Sequence, residues 1–160
     1  MDPEIKKQVL RKITYGLYVL TASSGDEVAA GTVNWLSQAS FEPPLIMVGI
    51  KKDSRLHAIV EQAGTFAVNI LASGQKDVAA AFFRGANVED GKINGYAFTR
   101  GEKSGAPILE VVPAWFEAKV VDMVKRGDHT VFVAEVIEAG LRDAEAKPLV
   151  MRETGWFYGG

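Results

Sequence analysis

Cysteine is absent from the 160 residues, and histidine occurs only twice, as His57 and His129. Without cysteine the chain has no disulfide, no thiolate metal site, no cysteine-held iron–sulfur cluster and no cysteine nucleophile. Two histidines are too few for a multi-histidine metal site within one chain, so we expect no metal centre. This composition suits a reducing compartment, and the cytoplasm is the location that we expect.

The chain also lacks an excess of one charge and a long apolar run. Lys and Arg number 18 and Asp and Glu number 20, which gives a formal net charge of −2. Such a chain lacks the basic excess used to bind nucleic acid or an anionic membrane. No apolar run reaches the roughly 18 residues of a membrane helix, and the N-terminus lacks the apolar core of a secretory signal. We expect binding to neither nucleic acid nor membrane.

What the chain does have is a series of short apolar, β-branched runs. At roughly 150 residues per domain, residues 1–160 predict a single domain. Two extended runs, Leu17–Ser23 and Val28–Ser40, flank a Gly-Asp turn and predict a hairpin. Further strands are predicted at Leu45–Ile50, Thr65–Leu71, Trp115–Lys125 and His129–Ala139, with two short ones after Pro148.

Helices are fewer and shorter. One is predicted to follow Asp2 with an apolar stripe ending at Ile13, one to end at Gly64, and one to lie within residues 74–85. Residues 86–105 show no period and are predicted to form a long surface loop. The predicted fold is therefore mainly β with peripheral helices, a closed barrel rather than a parallel α/β fold.

The first candidate binding element is the segment GTVNWLSQAS, which starts at Gly31. On a continuous strand, Thr32, Asn34, Leu36 and Gln38 face one side, whereas Val33, Trp35 and Ser37 face the other. A face that carries a hydroxyl and two amides can recognise a planar ring with hydrogen-bonding edges. A solvated strand face is the alternative interpretation.

The second candidate element lies where the Leu45–Ile50 strand turns into a helix. Lys51, Lys52 and Arg55 cluster there, with Ser54 in a position to cap the helix. The helix dipole disfavours cations at this end, and a bound phosphate would resolve the conflict. An accidental basic patch on a surface turn is the alternative.

Two histidines, one arginine and an aromatic cluster are further candidates. His57 lies in the first helical turn, where it either touches a ligand or covers the surface. His129 lies at a hairpin mouth beside Asp128 and is predicted to act as a proton donor or dinucleotide contact, with a strand-end role as the alternative. The dipole at a helix C-terminus accounts for the cation Arg84 without a ligand. The aromatic residues Trp156 to Tyr158 are typical of a core or a subunit interface.

Together these segments resemble the flavin reductase-like family, whose fold is an FMN-binding split β-barrel. Neither a G-x-G-x-x-G fingerprint nor a Walker loop is present. The matching pieces are YGLYVLTA, AAGTVNWLSQASFEPPLIMVGI, KKDSRLHAIVEQAGTFAVNIL, GDHTVFVAEV and WFYGG, which together span Ile13 to Tyr158. Within the family the chain looks most like the flavin domain of high-molecular-weight rubredoxins.

The resemblance implies FMN, or FAD, as cofactor and NADH or NADPH as hydride donor. It implies a homodimer, and a redox protein such as rubredoxin as a partner. It places Thr32, Val33, Asn34, Trp35 and Leu36 along the flavin ring and Ser37, Gln38 and Ala39 toward the ribityl chain. It places Ser54, Arg55 and His57 at the phosphate, assisted by Lys51 or Lys52. Phe83, Arg84, His129 and Tyr158 would border the flavin or the nicotinamide, with His129 as the catalytic candidate.

Three functions follow from the sequence. The first is an NAD(P)H-dependent oxidoreductase that passes electrons to flavin or to a downstream acceptor. The second is an electron carrier with tightly bound FMN that reduces a protein partner. The third is a flavin-binding module without catalytic activity of its own. An oxidoreductase that supplies reduced flavin releases it, whereas an electron carrier keeps it bound. NADH oxidation distinguishes both of these from a non-catalytic module.

Overall fold

A computed structural model describes all 160 residues, which form eleven strands and four short helices. The mainly β class predicted from the sequence is confirmed. In chain order the elements are α1 (Pro3–Leu10), β1 (Tyr18–Ser24), β2 (Glu27–Val33), β3 (Leu36–Ser40), β4 (Leu45–Lys51), α2 (Arg55–Ala63), β5 (Thr65–Ile70), α3 (Lys76–Ala81), β6 (Val88–Glu89), β7 (Lys92–Ile93), β8 (Tyr96–Arg100), β9 (Pro107–Leu109), β10 (Ala114–Val124), β11 (His129–Leu141) and α4 (Met151–Thr154).

Seven strands form one antiparallel sheet in the order β2-β1-β5-β10-β11-β4-β3. Its two edge strands, β2 and β3, are consecutive in the chain and are separated only by Asn34 and Trp35. The chain itself therefore joins the two edges, and the sheet curls into a barrel that is split between them. We call this junction the seam.

The seam corrects the prediction of one strand over Val28–Ser40. β2 pairs with β1, whereas β3 pairs with β4 on the other edge of the sheet. The alternation of side chains therefore does not continue from Thr32 to Gln38. Apolar and polar residues continue to alternate between β2 and β3, but this pattern contains no information about which neighbouring strand each of them pairs with.

Helix α2 closes one end of the barrel. Its bounds agree with the prediction, since Ser54 caps its N-terminus and Gly64 ends it with a φ of +69°. Leu56, Ile59 and Val60 are buried in the main core, together with barrel residues such as Phe66 and Phe132. This packing fixes the start of α2 at the rim of the barrel, beside the seam.

Residues 86–105 are not the predicted loop. β6 to β9 form a small four-stranded sheet that continues to Leu109. The turns Asp90-Gly91 and Asn94-Gly95 have positive φ at both residues, as tight hairpin turns require. The sheet packs on a second core that contains Ile93, Leu109 and Phe82.

The C-terminal prediction of two short strands is also wrong. The chain forms α4 instead, in which the Glu153 carboxylate accepts a hydrogen bond from the backbone of Val150. The last residues, 156–160, form an irregular segment that we call the C-terminal tail. No helix is both long and apolar enough to span a bilayer.

At the other terminus, α1 begins as predicted, since the Asp2 carboxylate accepts hydrogen bonds from Glu4 and Ile5. None of the apolar residues of its stripe, however, is buried in this chain. Ile5, Val9 and Leu10 are 61%, 60% and 43% exposed, and Ile13 just beyond the helix is 52% exposed.

Candidate functional site

A cavity of about 640 Å³ opens at the seam, between the end of β2, the start of α2, the segment after α3 and the C-terminal tail. We call it the seam cavity. It brings together ten of the residues singled out from the sequence: Thr32, Val33, Asn34, Lys51, Ser54, Arg55, Phe83, Arg84, His129 and Tyr158. Its lining contains three Lys or Arg side chains and no Asp or Glu.

The start of α2 forms one wall of the seam cavity. The Ser54 hydroxyl accepts a hydrogen bond from the His57 backbone at 3.1 Å, so one helix-start donor is satisfied within the protein. The backbone N–H groups of Arg55 and Leu56 have no acceptor in the protein. The first turn carries no acidic side chain. These features leave the positive end of the helix dipole open toward the cavity.

Two cations stand beside these donors. Lys51 lies 3.5 Å from the Asp53 carboxylate and Arg55 lies 3.5 Å from the Glu27 carboxylate. All four side chains are more than half exposed, so both pairs contribute little to stability. A phosphate at the start of α2 can therefore recruit Lys51 and Arg55 at small cost.

Next to Lys51, which is the register partner of His129 on the neighbouring strand, the cavity is lined by two members of a chain of three hydrogen-bonded side chains, His129 and Tyr158. Asp128 Oδ1 lies 2.8 Å from His129 Nδ1, and Tyr158 Oη lies 2.7 Å from His129 Nε2. The hydrogen bond from His129 holds the pKa of Asp128 below its ordinary value. Burial raises the pKa of the Tyr158 phenol. The Asp128 carboxylate accepts the hydrogen bond from His129 Nδ1, and Nε2 shares a hydrogen bond with the Tyr158 hydroxyl.

Trp35 supports this chain from the seam. Its ring centroid lies 4.5 Å from that of His129 and 5.2 Å from that of Tyr158. Trp35 does not line the seam cavity itself, so its contribution is to position the two residues that do.

The two polar seam residues differ in what they offer a ligand. The Thr32 hydroxyl donates to the Ala79 carbonyl at 2.6 Å and thereby holds α3 against β2. Asn34 is buried, and its amide nitrogen contacts Met151 Sδ at 3.8 Å, a weak acceptor. Its amide oxygen accepts no hydrogen bond within the protein. Asn34 therefore retains hydrogen-bonding capacity, and so does the indole of Trp35, whose buried Nε1–H has no acceptor.

Seven of the residues singled out from the sequence do not line the seam cavity: Trp35, Leu36, Ser37, Gln38, Ala39, Lys52 and His57. Residues 36–39 lie on β3, beyond the break, and the last three of them are exposed. The Lys52 ammonium turns toward the Lys125 carbonyl, 3.1 Å away.

His57 requires the largest correction. Its ring is buried in the barrel, with Nε2 2.7 Å from the Thr130 hydroxyl and its centroid 5.2 Å from that of Phe132. It therefore faces away from the start of α2, where the sequence placed it beside a phosphate. Only its backbone N–H, bound to Ser54, contributes to that wall.

Other residues line the seam cavity although the sequence analysis did not predict them as site residues. Gly31, Phe82 and Met151 contribute to it, and so does Trp156, which the sequence assigned to a core or an interface. The Trp156 ring lies 4.8 Å from that of Phe83, and the Lys76 ammonium lies 4.8 Å from its centroid. The only sequence feature that pointed to Trp156 was the aromatic cluster after Gly155. Where this cluster lies depends on α4, which was not predicted.

Comparison with protein families identifies the fold. The model of the flavin reductase-like domain matches residues 10–159. The chain belongs to this family. The resemblance identified from the sequence is thus confirmed, and the split barrel is the family's fold.

Individual proteins agree with this assignment. The NADH-dependent flavin reductase StyB of Pseudomonas fluorescens is 35% identical over 94% of this chain and 86% of its own length. The solved structure of the NADH:FAD oxidoreductase SgcE6 of Streptomyces globisporus superposes with a TM-score of 0.80, at 29% identity over 94% of this chain and 90% of that one.

Some relatives are longer. A probable flavin reductase of Rhizobium meliloti is 35% identical over 84% of this chain, which spans 42% of that protein. The diflavin flavoprotein A 1 of Synechocystis is 28% identical over 99% of this chain, which spans 28% of that protein. The domain therefore occurs both nearly alone and as a part of larger proteins.

The buried position of His57 generates a pH prediction. Burial, together with Lys125 and Lys52, lowers its pKa below 6.5, although Glu61, whose carboxylate lies 3.7 Å from Nδ1, opposes the shift. The unfolded chain then binds a proton that the folded chain does not. We expect the free energy of unfolding to be fully maintained above about pH 6.5 and to fall as the pH is lowered toward about 5.

Urea unfolding of the wild type and of His57→Gln at several pH values measures this effect. Glutamine keeps a polar contact to Thr130 but does not titrate, so the slope between about pH 5 and 6.5 should decrease. Equal slopes for His57→Gln and the wild type would refute the assignment.

Proposed function

We propose that this chain is an NAD(P)H-dependent flavin reductase that binds one FMN in the seam cavity. The observation that carries the proposal is the pairing, in one cavity, of an open helix start flanked by cations with the Asp128–His129–Tyr158 chain. The first suits an anionic cofactor, and the second suits a polar group of an approaching dinucleotide. Relatives named as NADH-dependent flavin, FAD and FMN reductases support the same activity.

The residues present fit FMN. A volume of about 640 Å³ is within the range that cofactor-sized ligands occupy. Its apolar wall, with Leu17, Val33 and Phe82, suits a flavin ring, and the free oxygen of Asn34 suits an N–H at the ring edge. The N–H groups of Arg55 and Leu56, with Lys51 and Arg55, suit the phosphate.

The protein's contribution to the reaction is positioning. Bound flavin supplies the hydride-accepting chemistry. Asp128 fixes the tautomer and orientation of the His129 ring, so that Nε2 is directed toward Tyr158 and the cavity. We infer that an incoming nicotinamide competes with the Tyr158 hydroxyl for this ring, which would align the dinucleotide against the apolar wall.

The electron acceptor and the oligomeric state of the chain are also part of this proposal. The exposed stripe of α1, which includes Ile5 and Val9, supports a homodimer, because large exposed apolar faces mark interfaces. The diflavin flavoprotein relatives favour the second candidate function, an electron carrier with tightly bound FMN that reduces a redox protein. FAD in place of FMN, a cytoplasmic location and the action of residues 1–160 as one domain are further parts of the proposal.

The function is tested by the colour and reactivity of the purified protein. We expect it to bind one flavin per chain, released on denaturation and identified by chromatography. Under anaerobic conditions NADH or NADPH should bleach the bound flavin. A protein that binds neither FMN nor FAD would refute the whole proposal, and one that binds flavin but is not bleached would leave only the non-catalytic module.

The phosphate site is tested by Arg55→Ala. Loss of a charge-assisted hydrogen bond should weaken FMN binding by about 1.5–3 kcal/mol, measured by fluorescence titration. Riboflavin, which lacks the phosphate, should bind the wild type and the variant alike. Lys52→Ala is the matched control, since that cation lies in the same segment but turns away from the cavity. Equal losses for FMN and riboflavin would contradict the assignment.

His129 is tested by stopped-flow reduction of the flavin-loaded His129→Ala variant. A residue that contacts mainly the dinucleotide should leave FMN affinity nearly unchanged and lower the reduction rate by about tenfold, or ~1.4 kcal/mol. His57→Gln, which changes the other histidine, should keep the wild-type rate. An unchanged rate for His129→Ala at both low and saturating NADH would return this residue to a structural role.

A further inference from the structure

The segment between α3 and β6 forms one wall of the seam cavity, to which Phe82, Phe83, Arg84 and Gly85 contribute. We call residues 82–87 the wall segment. Phe82 is buried, but Phe83 is 54% exposed, and Arg84 and Gly85 are exposed as well. The backbone N–H groups of residues 84–86 donate no hydrogen bond within the protein. The wall segment therefore depends on other parts of the chain for a fixed shape.

Asn94, in the turn between β7 and β8, supplies this support from the small sheet. Its Nδ2 donates to the Ala81 carbonyl at 2.8 Å and to the Gly85 carbonyl at 2.7 Å. Its Oδ1 accepts from the Asn87 backbone N–H at 2.7 Å, and its own N–H donates to the Asn87 carbonyl at 2.9 Å. No other side chain hydrogen-bonds to residues 81–87. Asn94 thus holds the wall segment near both of its ends with four hydrogen bonds.

The hairpin turn alone does not require the Asn94 side chain. Asn94 has a φ of +47°, a conformation that glycine adopts at least as readily as asparagine. A Gly-Gly pair would therefore close the turn as well as Asn-Gly does. The wall segment needs more, because it presents two carbonyl acceptors and one N–H donor to the same side chain. The amide of asparagine supplies two donors and an acceptor together, so the residue type at this position matches the wall segment.

Two residues of the seam cavity depend on the backbone that Asn94 holds. The Phe83 ring packs on the Trp156 ring with the centroids 4.8 Å apart, and both rings line the cavity. Arg84 takes part in none of the ion pairs of the structure, so its position follows from that of its backbone. A shift of the wall segment would therefore move an aromatic surface and a cation of the cavity together.

We propose that Asn94 is a positioning residue of the seam cavity, which sets the affinity for flavin by fixing the wall segment. Asn94 does not line the cavity, so it acts only through the residues that it holds. A wall that is ordered before binding spares the ligand the entropy cost of ordering it, and affinity rises accordingly. The inference deepens the proposed function and rests on it. Flavin binding and bleaching by the wild type test that function separately.

Asn94→Asp tests the two donated hydrogen bonds with a side chain of the same shape. At pH 8 its carboxylate sets an oxygen, in place of Nδ2, against the Ala81 and Gly85 carbonyl oxygens. We expect the dissociation constant for FMN, measured by fluorescence titration of flavin-free protein, to rise about tenfold over that of the wild type. At pH 5 more of the carboxyl is protonated and can donate to one carbonyl, so the ratio of the two constants should shrink.

Asn94→Gly keeps the proposal falsifiable where the aspartate variant does not fold. Glycine accepts the φ of +47° but removes the three side-chain hydrogen bonds. This variant should also weaken FMN binding about tenfold, by the same ratio at pH 8 and pH 5, because it adds no titrating group. Urea unfolding at both pH values verifies that each variant is folded during the titration. A pH-dependent ratio in Asn94→Asp alone is a signature that a general loss of stability does not produce.

Asn87→Asp is the matched control, since it adds the same charge to the wall segment at a side chain that makes no hydrogen bond. Its affinity for FMN should stay within about twofold of the wild type at both pH values, because exposed charges act weakly. Wild-type affinity in Asn94→Asp or in Asn94→Gly would overturn the proposal. So would an equal loss in Asn87→Asp, or a ratio for Asn94→Asp that does not change with pH. A wild type that binds no flavin would instead refute the proposed function.

Discussion

The crossing of the chain from one edge of the barrel to the other, at Asn34 and Trp35, is the constraint on which the rest depends. β2 and β3 are edges of the same sheet, but they do not pair with each other. Their edge groups must find partners elsewhere. Thr32 finds them in the segment around α3, with its N–H on the Phe82 carbonyl and its hydroxyl on the Ala79 carbonyl. The gap that remains is the seam cavity.

Trp35 turns this backbone constraint into a positioned site. Two glycines allow its ring to lie where it does, since a Cβ on Gly49 would come within 3.3 Å of the ring and one on Gly159 within 2.6 Å. The ring then contacts His129 from the β10–β11 hairpin and Tyr158 from the C-terminal tail. Three distant parts of the chain, represented by Trp35, His129 and Tyr158, thus meet around one large side chain at the junction.

What the sequence could predict depended on whether the signal was local. Ser54 and Gly64 could be predicted as the two ends of α2 because helix capping is decided by a few neighbouring residues. The Asp90-Gly91 and Asn94-Gly95 turns were equally local but lay among polar residues, and the small sheet was missed. Pairing partners are not local, so periodicity could not detect the break at Asn34. Nor could it show that the His57 ring packs into the barrel.

Charge shows the same difference between composition and arrangement. The chain carries a net charge of −2, yet three of its 18 Lys and Arg line the seam cavity, and three more line an adjoining cavity between residues 11–16 and the C-terminal tail. Neither lining contains Asp or Glu. Salt screens the charges of the chain beyond a Debye length of about 8 Å, so a distant ligand interacts mainly with the screened net charge. A ligand inside a cavity interacts mainly with the charged side chains that line it. A net charge that argues against polyanionic partners is therefore compatible with sites for small phosphorylated ligands.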